Sequence, residues 1–318
     1  MPALPDYLEP LDHGVYAIDT GFQRPRFDAA YLMVHEGRAA FIDTGTNHAV
    51  PRLLGALQAL GLRPEAVDYV IPTHVHLDHA GGAGLLMQSL PHATLVVHPR
   101  GARHMVDPTM LYQGALAVYG QAEMDRSYGQ LVGVPAERVQ ESKDGMTLEL
   151  AGRPLLLIDT PGHARHHHCI WDDTSGGWFT GDTFGLSYRE FDTEAGPWIM
   201  PTSTPVQFEP DALHLSVRRL MAMRPQWMYV THYGRVGDVG RLATTLLDQV
   251  DAMVILGRAL RDAPHRHERL KQGLLALYTD RLAAHGIRDA QRVADLLTMD
   301  VELNAQGLAI WLDREARP

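Results

Sequence analysis

Ten residues constrain this chain more than any others: Thr73-His74-Val75-His76-Leu77-Asp78-His79-Ala80-Gly81-Gly82. Three imidazoles and a carboxylate fall within six positions, after an apolar β-branched run and before small residues. Neutral imidazole and ionised carboxylate are nitrogen and oxygen donors that suit Zn²⁺, Fe and Mn. His74 and His76 are one residue apart, so in a tight segment both can reach one ion. A solvated polar loop does not need this density of donors.

The chain must place that segment in a fold. Val67–Pro72 reads as a strand ending at the cluster, and residues 80–90 read as a helix beginning just after it. Upstream, strands 15–18, 30–34 and 39–42 precede a helix over 49–60, which carries apolar residues at helical spacing and ends at Gly61. The segment His35-Glu36-Gly37-Arg38 closes a hairpin between two of them. Another strand follows at 95–98. Alternation of strands and helices predicts α/β layering, with the site on loops at strand ends.

Residues 99–135 read as short helices and loops, with Arg103 and Tyr119 as pocket candidates. Strands return at 139–140, 147–150, 155–158, 169–171, 178–180 and 227–230, and a helix is predicted over 211–223. Three of these strands run into polar loops: Asp159-Thr160-Pro161-Gly162-His163, Gly181-Asp182 and Thr231-His232-Tyr233-Gly234. Residues 184–210 form a long irregular stretch in which Phe191, Trp198 and Met200 are candidates to line a pocket. After about residue 237 helical periodicity takes over, in segments 239–260, 268–285, 290–298 and 301–313. The expected domains are 1–236, carrying the chemistry, and 237–318, a helical extension. The extension either covers the α/β body or mediates self-association as a homodimer.

Composition excludes several classes. The net charge of −10 argues against a mainly electrostatic nucleic-acid binder. No apolar run approaches the ~20 residues of a membrane span, and the N-terminus has no basic and apolar leader pattern. One cysteine, Cys169, rules out an intrachain disulfide, and a reducing cytoplasm is the expected home. Cys169 starts a strand and reads as a small buried residue.

Donors far apart in sequence can share a cavity when each sits at a strand end. His163 would complete a three-nitrogen face with His74 and His76. Asp78 and His79 can turn to a second ion with His232, and Asp182 can bridge both with its two oxygens. Residues 73–82, Asp159–His163, Thr180-Gly181-Asp182 and Thr231-His232, in this order, resemble the metallo-β-lactamase superfamily over about residues 15–235. The resemblance implies an αββα sandwich of two mixed β-sheets flanked by helices, here with the C-terminal helical extension. It implies that His74, His76 and His163 hold one ion, that Asp78, His79 and His232 hold the other, and that Asp182 bridges. Asp43 in Asp43-Thr44-Gly45 is then a supporting residue rather than a ligand, and Arg165-His166-His167-His168 supports its loop or lies exposed.

The function expected is a dinuclear metal-dependent hydrolase. Two divalent ions, zinc first with iron or manganese as alternatives, would share a bridging hydroxide, since one zinc alone lowers the pKa of water from ~15.7 to about 7. Asp78 would orient the nucleophile or handle its proton, and the substrate would be a small ester, thioester or lactone. The C-terminal helices weakly resemble those of glyoxalase II. The alternatives are an iron-dependent redox enzyme on the same fold, of the persulfide dioxygenase or diiron kind, and a phosphodiesterase or nuclease.

Overall fold

The computed structural model describes residues 4–203 and 205–316. Contacts divide the chain into two compact units. The first holds residues up to Asp159, then His166–Gly181 and Gln226–Arg235; the second holds Thr160–Arg165, Asp182–Pro225 and the chain from Val236 onward.

The first unit is built on two sheets. One has the strands β1 (Leu8–Pro10), β2 (Val15–Asp19), β3 (Ala29–His35), β4 (Arg38–Ile42), β5 (Val67–Ile71), β6 (Thr94–Val97) and β7 (Val139–Glu141) side by side in chain order. Pairing is antiparallel from β1 to β4 and parallel from β4 to β7. The other sheet runs, from edge to edge, β13 (Gly234–Val236), β12 (Trp227–Val230), β11 (Gly177–Gly181), β10 (His168–Asp172), β9 (Arg153–Asp159) and β8 (Met146–Leu150). It is also mixed: β11 and β12 are parallel, and β8 to β11 are antiparallel.

Alternation along the strands explains how both faces of the first sheet are buried. On β4, Ala40 and Ile42 face the second sheet, while Ala39 and Phe41 face the helices. On β3, Tyr31 and Met33 point inward and Ala30 and Leu32 outward. The core between the sheets includes Ile71, Leu155, Leu157, Phe179 and Tyr229. Tyr31 packs edge-on to Phe179 and to Tyr229, with centroids at 5.2 and 5.6 Å. Outside the first sheet lie α1 (Val50–Ala59), α2 (Leu77–Ala80), α3 (Ala83–Ser89) and α4 (Pro99–Val106), which contribute Leu53, Leu57, Leu86 and Met105 to the outer core. Then come α5 (Thr109–Tyr119), α6 (Gln121–Glu123) and a turn of wide helix over Met124–Tyr128.

The second unit contains α7 (Pro210–Ala222), α8 (Val239–Ala259), α9 (Arg266–His285), α10 (Ala290–Leu296) and α11 (Thr298–Glu315). Among the described residues, no helix is long and apolar enough to cross a membrane.

Three local expectations change. The helix foreseen over 80–90 is two pieces, because the chain breaks at Gly81-Gly82, where the Gly82 N–H donates to the Gly45 carbonyl at 2.8 Å. The first piece is the turn that carries Asp78 and His79. Phe191, Trp198 and Met200 are at most 2% exposed, and Trp198 packs edge-on to Phe191 and to Tyr278 of α9. An irregular stretch of this length needs apolar anchors of its own, and these residues supply them. Finally, β1 and β13 were not foreseen; three residues are too few for a period-2 pattern to show.

Candidate metal centre

Within the first unit the donors sit at the C-terminal ends of parallel strands. β5 ends at Ile71 and the His cluster follows; β12 ends at Val230 and His232 follows. Asp43, at the end of β4, wires the two together. Its carboxylate accepts from the Thr73 N–H at 2.7 Å, from Thr231 Oγ1 at 2.8 Å and from Thr73 Oγ1 at 3.0 Å. It also faces His79 Nδ1 at 2.9 Å. Asp43 is 1% exposed, so these bonds operate in a medium that screens them little. The adjacent Thr44 N–H donates to the His79 carbonyl at 2.7 Å, pinning the short helix α2 from its far end.

The two sheets are joined at the same place. Tyr31 Oη donates to the Val230 carbonyl at 2.6 Å, and the Ala29 N–H donates to the Thr231 carbonyl at 2.8 Å. His232 Nδ1 faces the Phe27 carbonyl at 3.0 Å, while the Phe27 ring packs edge-on against the imidazole.

The result is a compact donor set. One ligand atom from each of Asp78, His79 and His232 lies within 4.8 Å of the others. His232 Nε2 is 3.5 Å from Asp78 Oδ2, and His79 Nε2 is 3.9 Å from it. His74 Nε2 lies 2.8 Å from His76 Nδ1. His74 and His79 are fully buried, whereas the Asp78 side chain keeps 25% of its exposure.

The second unit carries the other two candidates. Asp182 comes directly after β11, and His163 Nε2 stands 3.4 Å from Asp182 Oδ2. His163 Nδ1 faces the Thr202 carbonyl at 3.2 Å. The approach to Asp182 depends on Gly181, whose φ is +46°. A Cβ there would lie 2.4 Å from Thr73 Oγ1 and 2.7 Å from His167 Nε2, so no larger residue fits.

The residues present fit divalent ions. His79 and His232 in the first unit, and His163 in the second, each turn Nδ1 toward a carboxylate or carbonyl acceptor, which fixes a proton on Nδ1 and keeps the lone pair on Nε2. Imidazole lone pairs and carboxylates with no cation among them repel one another, and a cation reverses that balance.

The run His166–His168 supports rather than lies exposed. All three are at most 9% exposed. His167 stacks on His74 with centroids at 4.7 Å, and the Val75 N–H donates to His166 Nδ1 at 3.4 Å. His168 lies between Ser142 Oγ at 2.8 Å and the Pro72 carbonyl at 2.9 Å, and burial pulls its pKa down to about 3. It is therefore a neutral brace under the His74 segment. Burial pushes the Asp28 carboxyl up to about 7, against the pull of the His232 and His79 imidazoles. Thr20 Oγ1 donates to it at 2.8 Å. Burial also raises the phenols of Tyr119 and Tyr128, whose rings meet at 5.4 Å. Arg103 is exposed, with Nε 3.3 Å from His104 Nε2. Tyr233 sits in the core between the sheets, and buried Cys169 has its thiol 3.5 Å from the Thr180 carbonyl.

The candidate donors were named from their residue types, but the groups that aim them were not. Thr231 and Thr202 carry no metal-binding signature, and only the fold brings them to Asp43 and His163.

A mixed two-sheet sandwich flanked by helices, with His and Asp donors at strand ends, defines a class of metallo-hydrolase folds. The family model of the metallo-beta-lactamase superfamily matches residues 24–232, and this chain belongs to that superfamily. Its hydrolase relatives place it among the metallo-hydrolases. The chain is 26% identical over 228 residues to the metallo-beta-lactamase fold-containing protein ST1585 of Sulfurisphaera tokodaii, covering 70% of this chain and 79% of that one. The crystal structure of ST1585 from Sulfolobus tokodaii superposes with a TM-score of 0.66 at 23% identity, over 96% of this chain and all of that one. The hydroxyacylglutathione hydrolase of Salmonella typhi is 32% identical over 163 residues, which is 50% of this chain and 49% of the hydrolase. The structure of a peroxy diiron species of the chemotaxis sensor ODP shares the fold, with a TM-score of 0.54 at 16% identity over 76% of this chain and 93% of that one.

Proposed function

We propose that this chain is a dinuclear metal-dependent hydrolase of a small ester, thioester or lactone. The observation that carries the reading is the shared orientation of His79, His163 and His232, each with Nδ1 committed to a protein acceptor and Nε2 left for a cation. In this reading His74, His76 and His163 would hold one ion, Asp78, His79 and His232 would hold the second, and Asp182 would contribute to both. Divalent ions bound there supply Lewis acidity and a water of lowered pKa.

The chain's own residues do the rest. Asp78, whose side chain keeps 25% of its exposure, would orient the nucleophile or take up its proton. Asp43 keeps His79 in one tautomer and one orientation. His166, His167 and His168 keep the His74–His76 segment from shifting under load. Zinc is the proposed metal. Thioesters head the substrate list because the relatives that align over half of this chain are named hydroxyacylglutathione hydrolases. Residues 1–236 are proposed as the catalytic domain and 237–318 as its helical extension, in a cytoplasmic protein.

The test is metal analysis of the purified protein, followed by a panel of lactones, thioesters and phosphodiesters. About two zinc ions per chain with thioester or lactone cleavage is the expected result. Iron with oxygen uptake and no cleavage overturns the reading, as does cleavage confined to phosphodiesters.

A further inference from the structure

His163 Nδ1 faces an acceptor that lies outside the loop carrying the residue. The acceptor is the carbonyl of Thr202, 39 residues further on, in a stretch with no regular secondary structure. A carbonyl in such a stretch points wherever its two flanking peptide planes allow. Here both planes are held from α11.

Asn304 does the holding. Its Oδ1 accepts from the Ser203 N–H at 2.6 Å, and its Nδ2 donates to the Pro201 carbonyl at 3.2 Å, so one carboxamide straddles Thr202. Ser203 Oγ donates in turn to the Asn304 carbonyl at 3.1 Å. The remaining Nδ2 proton goes to Tyr278 Oη of α9 at 2.9 Å, and Tyr278 Oη lies 3.4 Å from Met253 Sδ of α8. Asn304 is 1% exposed, and both its donors and its acceptor are used. Three residues along the same helix face, Gly307 lets the loop lie directly on the helix backbone: a Cβ there would be 1.3 Å from the Ser203 carbonyl oxygen. Gln249 of α8 braces the same stretch from another side, with Nε2 donating to the Ile199 carbonyl at 2.6 Å.

We propose that Asn304 is a positioning residue for His163. By fixing the peptides on both sides of Thr202 it aims the carbonyl that takes the Nδ1 proton, and so presents Nε2 to the ion. The inference rests on the reading of His163 as a metal ligand, and it gives the C-terminal helices a part in building the site.

The experiment compares Asn304→Ala with Leu308→Ala in the full-length protein. Leu308 is buried on the same helix and lies beside Gly257 of α8, so it controls for lost helix stability. Zinc affinity is measured by chelator competition at a temperature where circular dichroism shows every variant folded. Asn304→Ala is expected to bind one of its ions about tenfold more weakly, with Leu308→Ala binding like the parent. In a His163→Ala background, Asn304→Ala should add nothing further. Unchanged affinity in Asn304→Ala, an equal loss in Leu308→Ala, or additive losses in the double variant overturns the proposal. A second readout does not depend on metal: ¹⁵N NMR of the imidazoles, with His163 assigned by its absence in His163→Ala. A proton on Nδ1 in the parent and a mixed tautomer in Asn304→Ala supports the proposal; Nδ1–H retained in Asn304→Ala sinks it. If the parent binds no metal, the hydrolase reading falls, and this tautomer measurement still decides the inference.

Discussion

The donors of the first unit and those of the second are held in different ways. In the first unit Asp43, at the end of a strand parallel to the one that feeds the His cluster, faces His79 directly and accepts from Thr231, the residue before His232. Their support is built from adjoining strand ends of a two-sheet core. His163, in the second unit, turns its Nδ1 to a backbone carbonyl instead. Its support is a loop carbonyl, and that loop is bonded to residues of α8 and α11 about fifty to a hundred positions away in the chain. Position in a rigid sheet edge comes with the fold, whereas position on a long loop must be supplied by whatever is packed against it. The C-terminal helices meet that need in the second unit.

The contrast can be broken at several points. The largest effect is expected at Asp182→Ala. Turnover should fall to the buffer rate, and metal content measured by elemental analysis should fall with it. Full activity at unchanged metal content would remove Asp182 from the site. Asp43→Asn comes next. It keeps the side-chain volume and loses the negative charge facing His79, so affinity for one ion should drop roughly ten- to a hundredfold in a chelator titration. An Asp43→Asn protein as tight as the parent would mean that the sheet edge alone positions the first unit's donors.

A pH experiment tests the brace under the first unit. His168 has a folded pKa of about 3, below the unfolded value of about 6.5. A depressed histidine pKa gives stability that is present above the unfolded value and lost as pH falls toward the folded one. Between about pH 6.5 and 3 this removes up to about 1.4 kcal/mol per pH unit. In His168→Gln that part of the acid-side slope should vanish in urea unfolding followed against pH. Identical slopes in the two proteins would show that His168 is not held neutral. The smallest effect belongs to Cys169→Ala, which lies within β10 with its thiol 3.5 Å from the Thr180 carbonyl. A stability loss of about 1 kcal/mol with unchanged turnover is expected. Inactivation of this variant would reopen a nucleophilic role for the thiol.

Much of the first unit was legible in the chain. The strands around the His cluster read as short apolar runs, as at Ala39 to Ile42, and the observed strands keep those positions within a residue or two. The break between α2 and α3 was less visible. It follows from a bond between Gly82 and Gly45, partners 37 residues apart, and helical periodicity ran straight across it. Phe191, Trp198 and Met200 had the composition of a pocket and the role of a core, because apolarity does not say which neighbours will cover it.

By itself the sequence determined the donor types, their order and the strands that deliver them. Donor chemistry is a property of side chains, and strand periodicity is a property of neighbours along the chain. What only the tertiary structure decided is which nitrogen of each imidazole carries the proton and which keeps its lone pair. That choice belongs to the partner of the opposite nitrogen: Asp43 for His79, Phe27 for His232 and Thr202 for His163. Those partners lie 36, 205 and 39 residues from the imidazoles they orient. Hydrogen bonding at such separations is set by how sheets and helices pack, and no local pattern in the chain encodes it.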